Sequence, residues 1–128
     1  MKKLISIFGV TGSVGNSTIE LLRKRKDEFE VIAITCNSDI KNISLLANEF
    51  NPKIVAVANE KKLKELKENI PSNIKCRAGS KGICEAASYK SDITIAAIVG
   101  LAGLKPLIES VKSSSVIALA NKECIVSA

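Results

Sequence analysis

Three glycines lie three residues apart near the start of the chain, at Gly9, Gly12 and Gly15. An apolar, β-branched run precedes them and a helical pattern follows, and a strand, a glycine turn and a helix in this order can bind a nucleotide diphosphate. Gly9 would turn the chain, Gly12 would let a pyrophosphate approach because it lacks a Cβ, and Gly15 would let the helix pack closely. The N–H groups of residues 11–14 would then face the phosphates from the positive end of the helix.

The spacing of these glycines leaves an alternative open. It is G-x-x-G-x-x-G rather than the commoner G-x-G-x-x-G, and such a turn can also join a strand to a helix without any ligand. The turn begins at Gly9, directly after a buried-strand pattern. This is where the first βα unit of a dinucleotide-binding domain starts, so we predict that the turn binds a nucleotide.

A second polar group, Asn37, Ser38 and Asp39, follows the second predicted strand. The loop at this place usually reads the adenosine ribose, and an acid there favours NAD because it accepts from the 2′-hydroxyl and repels a 2′-phosphate. Asn37 and Ser38 can donate hydrogen bonds to a phosphate. Asp39 is either the acid that reads the ribose or the cap of the next helix. The residues alone therefore leave NADP and NAD open.

The third polar group is Asn121, Lys122 and Glu123, an amide, an ammonium and a carboxylate after the last predicted strand. These residues can bind a ligand. Asn121 can also begin a helix as its N-cap, with Glu123 in the first turn, and both interpretations can hold at once. The sequence shows no nucleophile with its base and no cluster of metal-binding carboxylates.

The elements that position these groups alternate between strands and helices. Apolar runs predict strands at residues 4–8, 31–35, 54–57, 92–99 and 116–120, with a short edge strand at 74–78. Helical spacing predicts helices at about 16–26, 43–50, 59–70, 82–89 and 104–112, with a turn at 113–115. The helix residues expected to face inward are Ile19, Leu21, Leu22, Ile43, Leu46, Ala47, Phe50, Leu63, Leu66, Ile70, Ile83, Ala86, Ala87, Leu104, Leu107, Ile108 and Val111.

This alternation predicts an α/β fold with a doubly wound, mainly parallel sheet that is covered on both faces. Ligands of such sheets bind beyond the carboxyl ends of the strands. Four loops meet at that edge in the predicted fold: residues 9–15, 36–39, 99–103 and 121–123.

The composition is ordinary for a soluble globular protein of one domain. The 128 residues carry a net charge of +6, but the lysines are scattered and only 3% of residues are aromatic. We therefore expect no nucleic-acid partner, since a phosphate-bearing small molecule suits the charge as well. No apolar stretch is long enough to span a membrane, and no membrane partner is expected.

Four cysteines, Cys36, Cys76, Cys84 and Cys124, occur without any histidine. Their spacing and the lack of histidine argue against zinc, and reduced thiols are typical of a cytoplasmic protein. Cys124 follows the third polar group. We expect it to be a small packing residue, with a reactive thiol as the alternative.

Three motifs, at residues 9–18, 96–104 and 119–126, together resemble the 1-deoxy-D-xylulose 5-phosphate reductoisomerase family of non-mevalonate isoprenoid biosynthesis. The resemblance extends along the whole chain, with the motifs in the right order and spacing. It covers the family's amino-terminal, Rossmann-like NADPH-binding domain and no other part of the enzyme.

The resemblance implies an activity and a set of binding residues. The family isomerises 1-deoxy-D-xylulose 5-phosphate and reduces the product with NADPH to 2-C-methyl-D-erythritol 4-phosphate, using a divalent metal, Mg²⁺ or Mn²⁺. Lys122 would reach the phosphosugar substrate. The residues that would bind NADPH are Thr11, Gly12, Ser13, Val14, Asn37, Ser38, Asp39, Asn121 and Glu123. In the family the second loop is usually Gly-Lys-Asn, so this chain lacks a lysine there and has an acid.

The resemblance also implies a domain organisation. Residues 1–128 would be the NADPH-binding domain, whereas the metal ligands, the catalytic residues and the carboxyl-terminal domain would lie outside this chain. We therefore expect cofactor binding without catalysis. The complete enzyme is expected to be a homodimer in the cytoplasm, or in a plastid-type organelle if the source is a eukaryote. The alternatives are the cofactor domain of another NAD(P)-dependent dehydrogenase, such as one acting on an amino-acid semialdehyde, and a non-enzymatic nucleotide-binding module.

Overall fold

The computed structural model describes residues 2–96 and 114–119, which form six strands and four α-helices. In chain order they are β1 (Lys3–Phe8), α1 (Ser13–Lys24), β2 (Phe29–Cys36), α2 (Ile40–Phe50), β3 (Ile54–Val57), a 3₁₀ turn (Glu60–Lys62), α3 (Leu63–Asn69), β4 (Lys75–Ala78), α4 (Gly79–Ser88), β5 (Ser91–Ala96) and β6 (Ser114–Leu119).

The six strands form one sheet in the order β4-β3-β2-β1-β5-β6, and all neighbouring strands are parallel. This confirms the predicted α/β class and the predicted edge position of β4 among the described strands. The first strand, β1, lies between β2 and β5. Its carboxyl end therefore lies near the middle of the edge at which the carboxyl ends of all the strands meet. In parallel sheets a ligand-binding crevice forms at such an edge.

Helices cover both faces of the sheet, as predicted. On one face, the inner residues of α1, α2 and α3 pack against strand residues such as Ile7, with Ile43 and Leu66 fully buried. On the other face, Ala86 of α4 packs in a cluster with Phe8. Neighbouring residues of β1 thus point into different cores, as the period of a strand requires, which is why the strand is buried on both faces from Ile5 to Phe8.

Local signals explain where several helices begin and end. Asp39 caps α2, whose inward residues recur at i, i+3 and i+4, and Asn51 ends this helix in the left-handed region at φ 49°. Asn59 caps the next segment, since its side chain accepts from the Lys61 N–H at 3.1 Å. This cap opens the 3₁₀ turn that precedes α3, so the first turn is not yet α-helical.

Some details of the predicted elements are wrong. The first helix begins at Ser13 and ends at Lys24, and Leu21 is 54% exposed because it lies about 200° around the helix from Ile19. The helix predicted at 82–89 begins at Gly79. Ser114 and Ser115 belong to β6 and not to a turn, because Ser114 pairs with Ser91. The helix predicted at 104–112 lies outside the described residues.

Candidate functional site

The first predicted loop is a tight turn fixed to the end of β2. Gly9 has φ +83°, which a residue with a side chain rarely adopts, so its predicted role in turning the chain is confirmed. The N–H groups of Gly9 and Val10 both donate to the Thr35 carbonyl, at 3.1 and 2.8 Å. Gly9 N–H also reaches the Thr35 hydroxyl at 3.1 Å. These bonds hold the glycine turn against the strand that leads into the second loop.

Gly15, in the first turn of α1, lies against the backbone of Gly9 and Val10. A Cβ built there would lie 2.6 Å from the Gly9 carbonyl oxygen and still closer to that of Val10. Both obstacles are backbone atoms, which cannot rotate away. The predicted close packing at Gly15 is therefore confirmed, and it is a requirement of the fold itself.

Gly12 has no such constraint from the described part of the chain. Its φ of −77° and ψ of 176° are open to any residue, and a Cβ there would meet only the Gly9 carbonyl oxygen, at an ordinary 3.6 Å. The residue is exposed. A side chain would fill a space that the fold leaves free beside the helix start, so the glycine leaves the backbone open to an approaching ligand.

The start of α1 is suited to an anion. Gly12 is its N-cap, and the first turn carries no acid. The first intrahelical donor is the Asn16 N–H, which reaches the Gly12 carbonyl at 2.8 Å. The N–H groups of residues 13–15 consequently have no acceptor within the helix, and they lie at its positive end. The Asn16 side-chain amide braces the turn by donating to the Thr11 carbonyl at 3.4 Å.

The second loop lies beside this turn at the same sheet edge. Asn37 and Ser38 are exposed, and within the described residues their side chains make no hydrogen bond. Their backbone is fixed, since the Asn37 carbonyl accepts from Asn59 N–H at 3.0 Å and the Ser38 carbonyl from Ile40 N–H at 2.9 Å. A fixed backbone with unused polar side chains is suited to hydrogen bonding with a ligand.

Asp39 is the helix cap, which is one of the two roles that the sequence left open. One carboxylate oxygen accepts from the Asn42 N–H at 3.3 Å, and the other accepts from the Asn42 side-chain amide at 2.7 Å. The residue is half-buried. Both of its carboxylate oxygens are thus engaged within the first turn of α2.

Cys36 lies beneath the second loop and is not suited to chemistry. Burial raises the pKa of its thiol to about 12. Cys36 is 4% exposed, and its Sγ donates to the Asp39 carbonyl at 3.8 Å. A protonated, buried thiol is unreactive, so Cys36 acts as a packing residue under the loop.

Sequence reasoning missed two residues that position the site. Thr35 was expected only to fill a strand, yet its carbonyl and hydroxyl hold the glycine turn. Asn42 was not singled out, although it binds both oxygens of Asp39. The Asp-x-x-Asn spacing at a helix start was the available signal for Asn42, whereas nothing local marked Thr35.

Several predicted site residues cannot be compared with the structure. Asn121, Lys122, Glu123, Cys124 and the loop 99–103 lie outside the described residues, and Ser13 and Val14 are described by their backbone alone. Across residues 2–96 and 114–119, no group of three histidine, cysteine or acidic side chains is placed to hold a metal ion. In the same part of the chain, no helix has the length and apolar character needed to cross a membrane.

Known proteins resemble this chain in both sequence and structure. The reductoisomerase of Caldanaerobacter subterraneus subsp. tengcongensis is 42% identical over 128 residues, which are all of this chain and 33% of that protein. The reductoisomerase of Bradyrhizobium sp. (strain ORS 278) is 46% identical over 125 residues, or 97% of this chain and 31% of that protein. The chain therefore spans about a third of the length of the curated relatives it matches.

Solved structures agree with the sequence relatives. The 1-deoxy-D-xylulose 5-phosphate reductoisomerase of Zymomonas mobilis, in complex with NADPH, superposes with a TM-score of 0.95 at 36% identity, over 100% of this chain and 34% of that one. A reductoisomerase in complex with NADPH, fosmidomycin and magnesium gives a TM-score of 0.90 at 30% identity, over 97% and 31%. A family model described as 1-deoxy-D-xylulose 5-phosphate reductoisomerase matches residues 5–128. Since this match covers nearly the whole chain, the chain belongs to the 1-deoxy-D-xylulose 5-phosphate reductoisomerase family.

Proposed function

We propose that this chain is the NADPH-binding part of an enzyme that isomerises 1-deoxy-D-xylulose 5-phosphate and reduces the product to 2-C-methyl-D-erythritol 4-phosphate. The observation that carries this proposal is the contrast between Gly12 and Gly15. The described part of the chain requires glycine at position 15 but leaves room for a side chain at position 12. A glycine that the fold does not need is explained by a ligand that must come close to it.

The diphosphate of the cofactor fits the start of α1. The N–H groups of residues 13–15, which have no acceptor within the helix, can donate to its oxygens, and the helix dipole favours its negative charge. The first turn has no acidic residue to oppose that charge. In this proposal Thr11, Gly12, Ser13 and Val14 form the cradle, and the bonds to Thr35 keep that cradle in place.

The 2′-phosphate of NADPH fits the second loop. Asn37 and Ser38 are neutral donors with exposed side chains, and the acid in the loop is already engaged with Asn42. This arrangement lets the loop accept a phosphate without the lysine that the family usually has there. Asp39 lines this subsite as the cap of α2 in our proposal.

The remaining roles are proposed from the family motif. Asn121 and Glu123 would hold the nicotinamide end of NADPH. When NADPH is bound, this end would supply the hydride for the reduction. Lys122 would donate to oxygens of the phosphosugar. The described residues do not provide a metal site. From the family resemblance we assign the ligands of Mg²⁺ or Mn²⁺, and the dimer contacts, to the rest of a complete enzyme, which we place in the cytoplasm.

A calorimetric titration of this chain with NADPH and, separately, with NADH tests the proposal. We expect NADPH to bind more tightly than NADH, with circular dichroism confirming that the protein is folded. A folded chain that binds neither nucleotide would contradict the cofactor assignment and favour a different module. Tighter binding of NADH would contradict our assignment of the second loop.

A hybrid enzyme tests the assigned reaction and the domain organisation. This chain would replace the matching third of the Caldanaerobacter reductoisomerase, which is 42% identical to it. We expect the hybrid to convert 1-deoxy-D-xylulose 5-phosphate with NADPH and a divalent metal, and this chain alone to show no turnover. Turnover by the chain alone would show that the catalytic groups lie within it.

A further inference from the structure

We propose that Asn42 is a positioning residue that sets cofactor preference by holding the Asp39 carboxylate away from the ribose subsite. This inference rests on the proposed function, since it concerns how the second loop distinguishes NADPH from NADH. Asn42 lies outside the three polar groups of the predicted site, and its side chain contacts Asp39, the cap of its own helix.

Capping alone does not explain the contacts of Asn42. An N-cap side chain satisfies the helix by accepting from a backbone N–H with one oxygen, and Asp39 does so at 3.3 Å. The shorter bond, at 2.7 Å, joins the other oxygen to the Asn42 side-chain amide. This second bond adds nothing to the cap. Its effect is to fix the orientation of the carboxylate and to occupy the oxygen that the cap leaves free.

The free oxygen would matter because of where Asp39 lies. It directly follows Asn37 and Ser38, whose side chains are exposed at the sheet edge. A carboxylate released toward that edge would accept a hydrogen bond from a ribose 2′-hydroxyl and repel a 2′-phosphate. Holding it against Asn42 removes the acceptor that NADH would use and turns the negative charge back toward α2.

The contacts on the other side of Asp39 do not replace Asn42. The Asp39 carbonyl accepts from the Cys36 thiol at 3.8 Å, and its backbone follows Ser38 into the helix. Those contacts fix the main chain and leave the side chain free to rotate. Among the described residues, Asn42 holds the carboxylate through its backbone N–H at one oxygen and through its side-chain amide at the other. Loss of the amide therefore leaves the second oxygen without a partner in that part of the chain.

The test is the ratio of NADH to NADPH dissociation constants in four variants of this chain. Asn42→Ala removes the amide but keeps the backbone cap and a good helix former, so the helix is expected to fold. Asp39→Ser keeps a capping side chain and removes the carboxylate. The double variant combines them. Asn48→Ala is the matched control, because Asn48 also donates from α2 but bonds to Ser44 and Asn69 away from the loop.

We expect Asn42→Ala to lower the preference for NADPH about tenfold, the factor that one hydrogen bond of ordinary strength produces. In the Asp39→Ser background the same change should have no effect on the ratio, since no carboxylate is left to release. Asn48→Ala should leave the ratio unchanged. An effect of Asn42→Ala that requires the Asp39 carboxylate distinguishes control of that carboxylate from a general loosening of the loop.

Three results would overturn the inference. One is an unchanged ratio in Asn42→Ala, and a second is an equal loss of preference with and without the Asp39 carboxylate. A third is weaker NADH binding in Asp39→Ser alone, which would mean that Asp39 already reads the ribose. Because these results compare variants with a parent chain that binds NADPH, they leave the proposed function standing. Failure of the parent chain to bind either nucleotide would contradict the proposed function instead. Kinetic constants for the two nucleotides in the hybrid enzyme give a second measurement of the same ratio.

Discussion

Substituting alanine separately at Gly12 and at Gly15 should separate binding from folding. At Gly12 the backbone angles suit alanine and the nearest atom to a new Cβ is at 3.6 Å. Replacing glycine at such a site gains about 0.4–1 kcal/mol by restricting the unfolded chain. Alanine is a poorer N-cap than glycine by roughly the same amount. The free energy of unfolding of Gly12→Ala should therefore stay within about 0.5 kcal/mol of the parent.

Binding of NADPH should fall sharply in the same variant. The new methyl group would stand where the diphosphate approaches the helix start, and it would break at least one hydrogen bond to a charged oxygen. Such a bond contributes about 1.5–3 kcal/mol. The dissociation constant should consequently rise by about 10- to 150-fold.

Gly15→Ala should give the opposite result. Its Cβ would press on backbone oxygens of Gly9 and Val10, at 2.6 Å and closer. Overpacking of this kind costs about 1–3 kcal/mol, which exceeds the gain of up to about 1 kcal/mol from replacing a helical glycine. We expect a lower Tm for this variant, and reduced binding only to the extent that it unfolds.

Urea denaturation measures the stability of both variants, and calorimetry measures their affinity for NADPH. The reasoning would be refuted if Gly12→Ala bound NADPH as tightly as the parent while remaining folded. It would also be refuted if the two variants lost stability equally, because the difference in space around the two glycines would then have no consequence.

Three further predictions concern the surroundings of the site. Asp39→Ala should lower the free energy of unfolding by about 1 kcal/mol, and Asp39→Ser should restore most of it, as measured by urea denaturation. Burial raises the pKa of Cys36 to about 12, above its unfolded value, so the folded state favours the neutral thiol. The contribution of the neutral thiol to the free energy of unfolding is complete below about pH 8.5 and is lost as the pH rises toward 12, by about 1.4 kcal/mol per pH unit. Cys36→Ala should therefore flatten the decrease of this free energy with pH, measured by urea titrations between about pH 9 and 11. An unchanged decrease would contradict the assignment. Arg23 makes two 2.8 Å bonds to Glu49, joining α1 to α2, so Arg23→Lys should lower the Tm slightly, and the difference should vanish in about 1 M salt.

The fold was predictable where the chain carries a strong pattern. Apolar runs located the strands, and the i, i+3, i+4 spacing in α2 identified its buried face, including Ile43 and Leu46. Leu21 was misplaced because a cluster of apolar residues does not fix the rotation of a helix about its axis. That rotation depends on which side contacts the sheet, and in α1 the side is defined by Ile19 and Leu22.

The start of β6 was harder to predict because it depends on pairing with β5. Ser114 and Ser115 have the composition of a turn, yet Ser114 pairs with Ser91 of the neighbouring strand. A serine can extend a strand when a partner supplies hydrogen bonds, and local propensity does not contain that information. The same limitation applies to Thr35, whose bonds to the glycine turn join residues 26 positions apart.

The glycine spacing predicted the turn but could not rank its three glycines. The structure gives each a different physical role: Gly9 needs a positive φ, Gly15 needs a short distance to backbone oxygens, and Gly12 needs neither. A turn that only joined a strand to a helix would have to keep Gly9 and Gly15, and it would be free to change Gly12. The two interpretations of the spacing, an empty turn and a nucleotide site, therefore differ at one residue. Glycine at position 12, where a side chain would fit among the described residues, is what the nucleotide site requires and the empty turn does not.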